Sequence, residues 1–471
     1  MRRTTGITLL IAAATVTMGC GGSPKFKSIT WPSSPHYGDR TVTITGTVDN
    51  PADGLQVEAT IGQNRVTASA SSGNFSVAVS LANGTNQITV SLAEKEKSYE
   101  TRTSTVIFPF LSLEKFQEAA FAIGQPNLTT ATAGTTANTL RTPFGNPAIA
   151  DETLFVADTY NHRVLGFSPI PTASNASATF ALGQPDLVTA GINGGLGGMA
   201  APNTVVASGG KLFVPQTGTA YTGILVFDPI PTGNGPASFE VGQTNAPYMC
   251  TRTNMFAPTG LFVHGDRLFA ADSFNNRVLV FDSIPTTSSA IPDWLLGFSD
   301  FSHCEQYNVT RTTLIKPSDV WTDGTRLLIA DAGNGRVLLW NQIPTGPNVP
   351  ADVVIGQPDG NTRSGAGTPQ ADMRSPLYVA SNGNQIFVTD ASLNRVLVWN
   401  SFPTADHQPA DLVLGQSDFQ CTTANDPTCS GVEASHPFAN TLKAPAGLLL
   451  TDTQLYVVDR DNNRILVFNG K

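Results

Sequence analysis

Between Ile29 and Phe108 apolar and polar residues alternate in short runs, as in Thr41-Val42-Thr43-Ile44-Thr45, Leu55-Gln56-Val57-Glu58-Ala59 and Phe75-Ser76-Val77-Ala78-Val79. A period of two with one apolar face predicts half-buried strands. Turn formers divide the runs at Asp49-Asn50-Pro51-Ala52-Asp53-Gly54, Ser72-Gly73-Asn74 and Asn83-Gly84. That spacing predicts a seven-strand sandwich over 29–108. Beyond a link at 109–117 the pattern becomes repetitive. Apolar runs end in Gly at 124, 183, 242, 297, 356 and 415, at intervals of 59, 59, 55, 59 and 59 residues. Gln follows in five copies: Gln125, Gln184, Gln243, Gln357 and Gln416. A regular recurrence of this kind outweighs any local propensity.

Each repeat reads as four strands. In the fourth copy these lie near Pro317 to Thr322, Leu327 to Asp331, Arg336 to Asn341 and Asp352 to Gly356, with the hairpin signal Asp323-Gly324 after the first. Four strands in about 59 residues is the unit of a β-propeller blade. The register is offset, because the outer strand Ala119 to Gly124 precedes any inner set and the last inner set ends at Phe468. The fold expected is therefore all-β: a sandwich, then a six-bladed propeller over 118–471 whose first outer strand completes the last blade and hides the open edges.

The phrase Asp-x-x-Asn-x-Arg-Val stands at Asp158, Asn161 and Arg163, at Asp272, Asn275 and Arg277, and at Asp331, Asn334 and Arg336. It returns at Asp459, Asn462 and Arg464 with Ile465 last, and the fifth copy keeps Asp390, Asn394 and Arg395. These copies resemble the NHL repeat family of propellers over about 119–471. A motif present in nearly every blade reads as structural: Asp and Asn suit a tight turn, and a buried Arg needs a carboxylate. The second blade tests this internally, having Gln216 for the Asp and Gly223 for the Arg, so both partners vanish together. The text from Gly46-Thr47-Val48-Asp49-Asn50-Pro51 through Gly73-Asn74-Phe75 to Leu81-Ala82-Asn83-Gly84-Thr85-Asn86 resembles bacterial immunoglobulin-like modules, which serve mostly as spacers.

Residues 1–19 carry Arg2 and Arg3, an apolar stretch Ile7 to Met18 and then Gly19 before Cys20, the layout of a bacterial secretory signal. The Gly-Cys ending resembles a lipoprotein leader, with Thr17 where that pattern has Leu. The resemblance implies an acylated Cys20, an anchor linker over 20–28, and membrane attachment through lipid. The destination implied is the bacterial envelope, at the outer membrane or cell surface rather than the inner membrane.

Composition narrows function without naming it. Charged residues are only 13%, and the chain has 43 Gly and 32 Pro, which excludes a helical bundle. A net charge of −9 argues against a nucleic-acid partner. Besides Cys20 the cysteines are Cys250, Cys304, Cys421 and Cys429, an even set that predicts two disulfides in one of three connectivities.

Long connections follow each Gly: 126–142, 185–201, 244–257, 299–316, 358–375 and 417–444. Connections this long carry function or lie disordered. They share a face with the Asp-x-x-Asn turns, which makes that face the candidate for binding a protein, peptide or glycan. An apolar plug recurs at Leu140, Met199, Met255, Leu314, Met373 and Leu442. The next position varies, and its basic members Arg141, Arg374 and Lys443 fall in the first, fifth and sixth blades, which adjoin in a closed ring. They read either as solvated charge or as an arc that attracts an anion. Tyr248, Phe301, Tyr307, Phe419 and Phe438 are aromatic candidates for stacking in the same connections.

The competing reading is a metal-dependent lactonase-like or lyase-like enzyme, since some related propellers place a metal on their axis. Here the inner strands begin without His or Glu, and Asp319 is their only carboxylate. The six histidines show no ligand spacing. No catalytic residue, metal ligand or cofactor is therefore assigned. A third possibility is a purely structural envelope module.

Overall fold

A computed structural model describes residues 23–36, 40–95, 97–218, 221–242, 250–306, 308–363 and 370–471. The leader, Cys20, Tyr248 and Tyr307 lie outside the described residues. Two compact units divide between Ser112 and Leu113.

In the first unit the described strands form two antiparallel sheets. One orders Lys25–Thr30, Thr41–Asp49 and Asn74–Ser80, and the other Asn64–Ser69, Gln56–Ile61, Gly84–Glu94 and Lys97–Phe108. The alternation works as its period requires. Val42 faces Val79 and Ile44 faces Val77 in the ladder, and these inward residues share one core with Val57, Ala59, Ile88 and Val90 from the other sheet.

The second unit is all-β and propeller-like. Its described residues form six four-stranded antiparallel sheets, each built from consecutive strands except the last. The fourth sheet comprises Pro317–Thr322, Leu327–Asp331, Arg336–Trp340 and Val353–Ile355. The middle two strands are buried on both sides, because neighbouring sheets pack on each. Phe269 and Val278 of the third sheet, for example, share a core with Leu327 and Ile329 of the fourth. This explains unbroken apolar runs such as Val337-Leu338-Leu339-Trp340, where a half-exposed strand would alternate.

The last sheet joins Pro445–Leu450, Gln454–Asp459 and Arg464–Asn469 to Phe121–Ile123 from the other end of the unit. Ile465 pairs with Ile123 and Val467 with Phe121, the pairing that the offset register predicts. Successive sheets are stitched near their inner ends: Val205 N–H donates to Asn146 O (2.8 Å), Thr259 Oγ1 to Ser318 O (2.9 Å) and Ser318 Oγ to Leu377 O (2.7 Å). The sixth sheet meets the first through Gly145 N–H to Ala446 O at 2.7 Å. The stretch 113–117, read above as link, is bonded to this unit through Phe116 N–H to Val413 O and Gln117 Nε2 to Asn469 O.

Candidate functional site

The repeated residues build the frame of the site. In the fourth sheet Asp331 Oδ2 accepts from Asn334 Nδ2 and Arg336 Nε, each at 2.8 Å, and Oδ1 accepts the backbone N–H of Ile315 at 2.7 Å. Arg336 then bonds Gly360 O in the connection that follows and Thr310 O and Thr313 O in the one before.

The other copies repeat this arrangement. In the first sheet Arg163 pairs with Asp158 at 2.8 Å and donates to Thr135 O in the connection before it and Leu187 O in the one after. In the third, Arg277 pairs with Asp272 at 2.7 Å and reaches Thr251 O and Asn254 O on one side and Phe301 O on the other. Arg464 pairs with Asp459 at 2.7 Å, and Arg395 stands farther from Asp390, at 3.4 Å. All ten of these side chains are buried. Burial pushes the carboxyls above the ordinary aspartate range, while the adjacent guanidinium pulls the other way. Each Arg therefore ties two long connections to its sheet.

In the second sheet an amide–carboxyl hydrogen bond takes the place of the ion pair. Gln216 Oε1 accepts the N–H of Ala200, and its Nε2 donates to Glu240 at 2.9 Å. Thr222 Oγ1 reaches Met255 O, replacing the guanidinium's bond to the neighbouring connection.

The Gly that ends each outer strand is dictated by contact as well as φ. Gly356 has φ +93°, and a Cβ there would strike Met373, the buried plug of its own connection; Gly415 stands the same way toward Leu442. The Gln after it clamps the loop. Gln416 Nε2 donates to Asn394 O and Thr423 O, while Gln125 reaches Asn463 O of the last sheet.

The variable position after the plug is now explained. The frame uses its backbone: Arg141 N–H donates to Asp158 and Lys443 N–H to Asp459, both at 2.7 Å, and the carbonyls accept from Tyr160 N–H and Asp461 N–H. Its side chain is free to differ. Arg141 and Arg374 are exposed, and Lys443 is half-buried with its ammonium on Glu433 at 2.7 Å. Burial and Arg141 together hold the nearby His162 below the ordinary histidine range.

Where the fifth, sixth and first sheets meet, a depression of about 350 Å³ opens among Phe144, Ser375, Leu377, Ala391, Ser392, Ala444 and Arg460. Ser375 follows Arg374 and Ala444 follows Lys443 directly in sequence, but Arg141, Arg374 and Lys443 are not among the lining residues. The Arg460 guanidinium stands 5.6 Å from the centre of the Phe144 ring and is held by Asp461 at 2.8 Å. Sequence reading misses Arg460, Phe144 and the two serines because none belongs to a repeated pattern. The one available signal is that Phe144 puts an aromatic residue directly after the Pro that opens an inner strand, where the other copies have Asn203, Thr259, Ser318, Leu377 and Ala446. A second depression, lined by residues 114–118 and 469–471, lies where Lys115 and Lys471 are already paired with Asp418 and Glu114.

The described aromatic candidates stand elsewhere in the connections. Phe301 packs against the core of the second and third sheets under Arg252, and Phe419 against that of the fourth and fifth. Phe438 pairs with His436 at 4.7 Å, and its carbonyl serves Arg464. Two disulfides join Cys250 to Cys304, between consecutive connections, and Cys421 to Cys429 within one, with Cα separations of 5.9 and 5.3 Å.

A buried polar contact joins the first, fourth and fifth sheets. Asn146 Nδ2 donates to Asp319 Oδ2 at 2.9 Å, and Val379 N–H to the same oxygen at 3.1 Å. Asp319 Oδ1 has no hydrogen-bond partner among the described residues. Burial pushes this carboxyl up to about 8, against the pull of those donors. Tyr378, also fully buried, reaches Asn203 at 3.5 Å and meets Phe144 edge-on at 5.7 Å. Among the described residues no three His, Cys, Asp or Glu side chains gather as a metal site.

No protein-family model and no curated protein matches the sequence. Among solved structures the chain is similar to the PQQ-bound aldose sugar dehydrogenase of Streptomyces coelicolor, at 15% identity over 73% of this chain and 98% of that one, with a TM-score of 0.40. It is also similar to BamB from Moraxella catarrhalis, at 15% identity over 76% and 98%, with a TM-score of 0.36. A third likeness is to virginiamycin B lyase from Staphylococcus aureus, at 12% identity over 72% and 97%, with a TM-score of 0.34. Likeness at this level assigns no activity or ligand to the chain.

Proposed function

We propose that this is an exported envelope protein, anchored by lipid on Cys20, whose immunoglobulin-like sandwich precedes a six-bladed NHL-type propeller that binds a protein, peptide or glycan through its looped face. One observation carries the reading: the depression at the inner ends of the fifth, sixth and first sheets coincides with the sheets that hold Arg141, Arg374 and Lys443. The even cysteine set, bonded in two pairs, suits a chain that leaves the cytoplasm. Asp319, the one carboxylate at the openings of the inner strands, is wholly buried, which favours binding over a reaction at that carboxyl.

The experiment is an array of peptides and glycans probed with the full chain and with Arg141→Ala/Arg374→Ala/Lys443→Ala. A captured ligand lost by the triple variant supports the reading. A ligand retained by the variant, or an array without any hit, removes it.

A further inference from the structure

We infer that the depression receives the free carboxylate end of a peptide whose last side chain is apolar. This rests on the scaffold reading and names the ligand chemistry of that same face.

Arg460 supplies the anion contact. Its Nε and Nη2 lie against Asp461 at 2.8 and 3.4 Å, and Nη1 has no partner among the described residues. With 26% of its side chain exposed, the guanidinium is reachable and yet fixed in orientation by Asp461. A carboxylate matches such a fork, and hydrogen bonds between ionised partners are about twice as strong as neutral ones. The hydroxyls of Ser375 and Ser392 line the same space and make no hydrogen bond to a described residue. They complete a polar edge able to donate to the second carboxylate oxygen.

The rest of the lining is apolar. Phe144, Leu377, Ala391 and Ala444 form it, and buried Tyr378 backs the Phe144 ring edge-on. A wall already packed from behind loses little freedom on binding. A sugar ring carries hydroxyls around its periphery and would leave several unpaired against these four side chains. An aliphatic or aromatic side chain would not. Arg460 is the one basic side chain in this lining, and its Nη1 is the group left to meet an anion. Capture of a terminal carboxylate beside an apolar pocket is an established mode of peptide recognition.

The test uses the full chain and fluorescein-labelled hexapeptide pools ending in Leu, Val or Phe, each as free acid and as C-terminal amide, followed by fluorescence anisotropy. The free acids are expected to bind at least tenfold more tightly than the amides. Arg460→Gln should remove that preference, and Asp461→Asn, which releases the guanidinium, should strengthen free-acid binding. Melting curves identify any variant that has not folded, and the acid-versus-amide comparison needs no variant at all. Equal binding of acid and amide overturns the inference. So does glucuronate competing while the peptides do not, which would assign the depression to an acidic sugar. An array ligand lost by the triple variant but indifferent to Arg460→Gln overturns the pocket assignment and leaves the scaffold reading intact.

Discussion

Asn146 and Asp319, separated by 173 positions in sequence, meet at 2.9 Å, joining the lead-in of the first sheet to the inner strand of the fourth. Neither residue belongs to the repeat. Hydrogen bonds also link sheet one to sheets two and six, whereas this contact joins it to sheet four. The carboxyl is held as a neutral acid, because ionising it would place an unpaired charge in a fully buried site.

This gives a signed pH dependence. Unfolded, an aspartate titrates near 4; folded, Asp319 keeps its proton to about 8. Its contribution to stability is therefore complete below about 4, declines between about 4 and about 8, and is absent above. Asp319→Asn mimics the neutral acid, so urea midpoints of the native chain should fall relative to the variant across that interval. A constant difference between the two curves would contradict the assignment.

Removing one member of a buried ion pair leaves the other uncompensated. Arg336→Ala should lower unfolding free energy by about 3–5 kcal/mol, and Asp331→Ala/Arg336→Ala should cost less than the two single changes added together. Arg163→Ala and Arg277→Ala should behave alike, since both guanidiniums make the same contacts in their own sheets. Denaturant melts of the variants decide this. Additive losses would mean that Asp331 and Arg336 act separately.

The two disulfides should differ in worth. Cys250–Cys304 closes 54 residues of sequence separation and Cys421–Cys429 only 8. On the chain-entropy account the first contributes about 4 kcal/mol and the second about 2.5 kcal/mol. Cys250→Ser/Cys304→Ser should therefore melt below Cys421→Ser/Cys429→Ser in thermal scans. The reverse order would show that something other than loop closure governs them.

Capture of an anion at a partly exposed border must weaken with salt. Raising ionic strength from about 0.01 to about 0.15 M shortens the screening length from about 30 to about 8 Å. Affinity for the free-acid peptides should drop accordingly, mainly through slower association. The amide controls should respond less. Surface plasmon resonance at several salt concentrations measures both, and salt-independent association would contradict electrostatic capture.

The frame was legible because it repeats. Six copies of one pattern revealed the strands, the offset pairing of Phe121–Ile123 with the last sheet, and the joint loss of Asp and Arg at Gln216 and Gly223. The same repetition marked Arg163 and Arg277 as needing a carboxylate, and Asp158 and Asp272 stand beside them. The replacement in the second sheet was hidden, since Glu240 sits on a different strand from Gln216 and no spacing links them. None of the residues that line the depression was marked by the sequence pattern. Arg141, Arg374 and Lys443 stood out by varying at a fixed position, whereas Phe144, Ser392 and Arg460 come from three sheets and converge only when the unit folds. Phe301 and Phe419 illustrate the converse: composition marked them as aromatic groups in binding loops, and local packing turned them toward the cores.

Hydrogen exchange of the full chain, with and without a saturating free-acid Leu-ended peptide pool, locates the ligand most directly. The account predicts slowed exchange around 141–146, 374–377, 391–393 and 443–461. Protection confined to the turns at the opposite end of the sheets, such as Asp323-Gly324 and Asn382-Gly383, would place binding on the wrong face and contradict it.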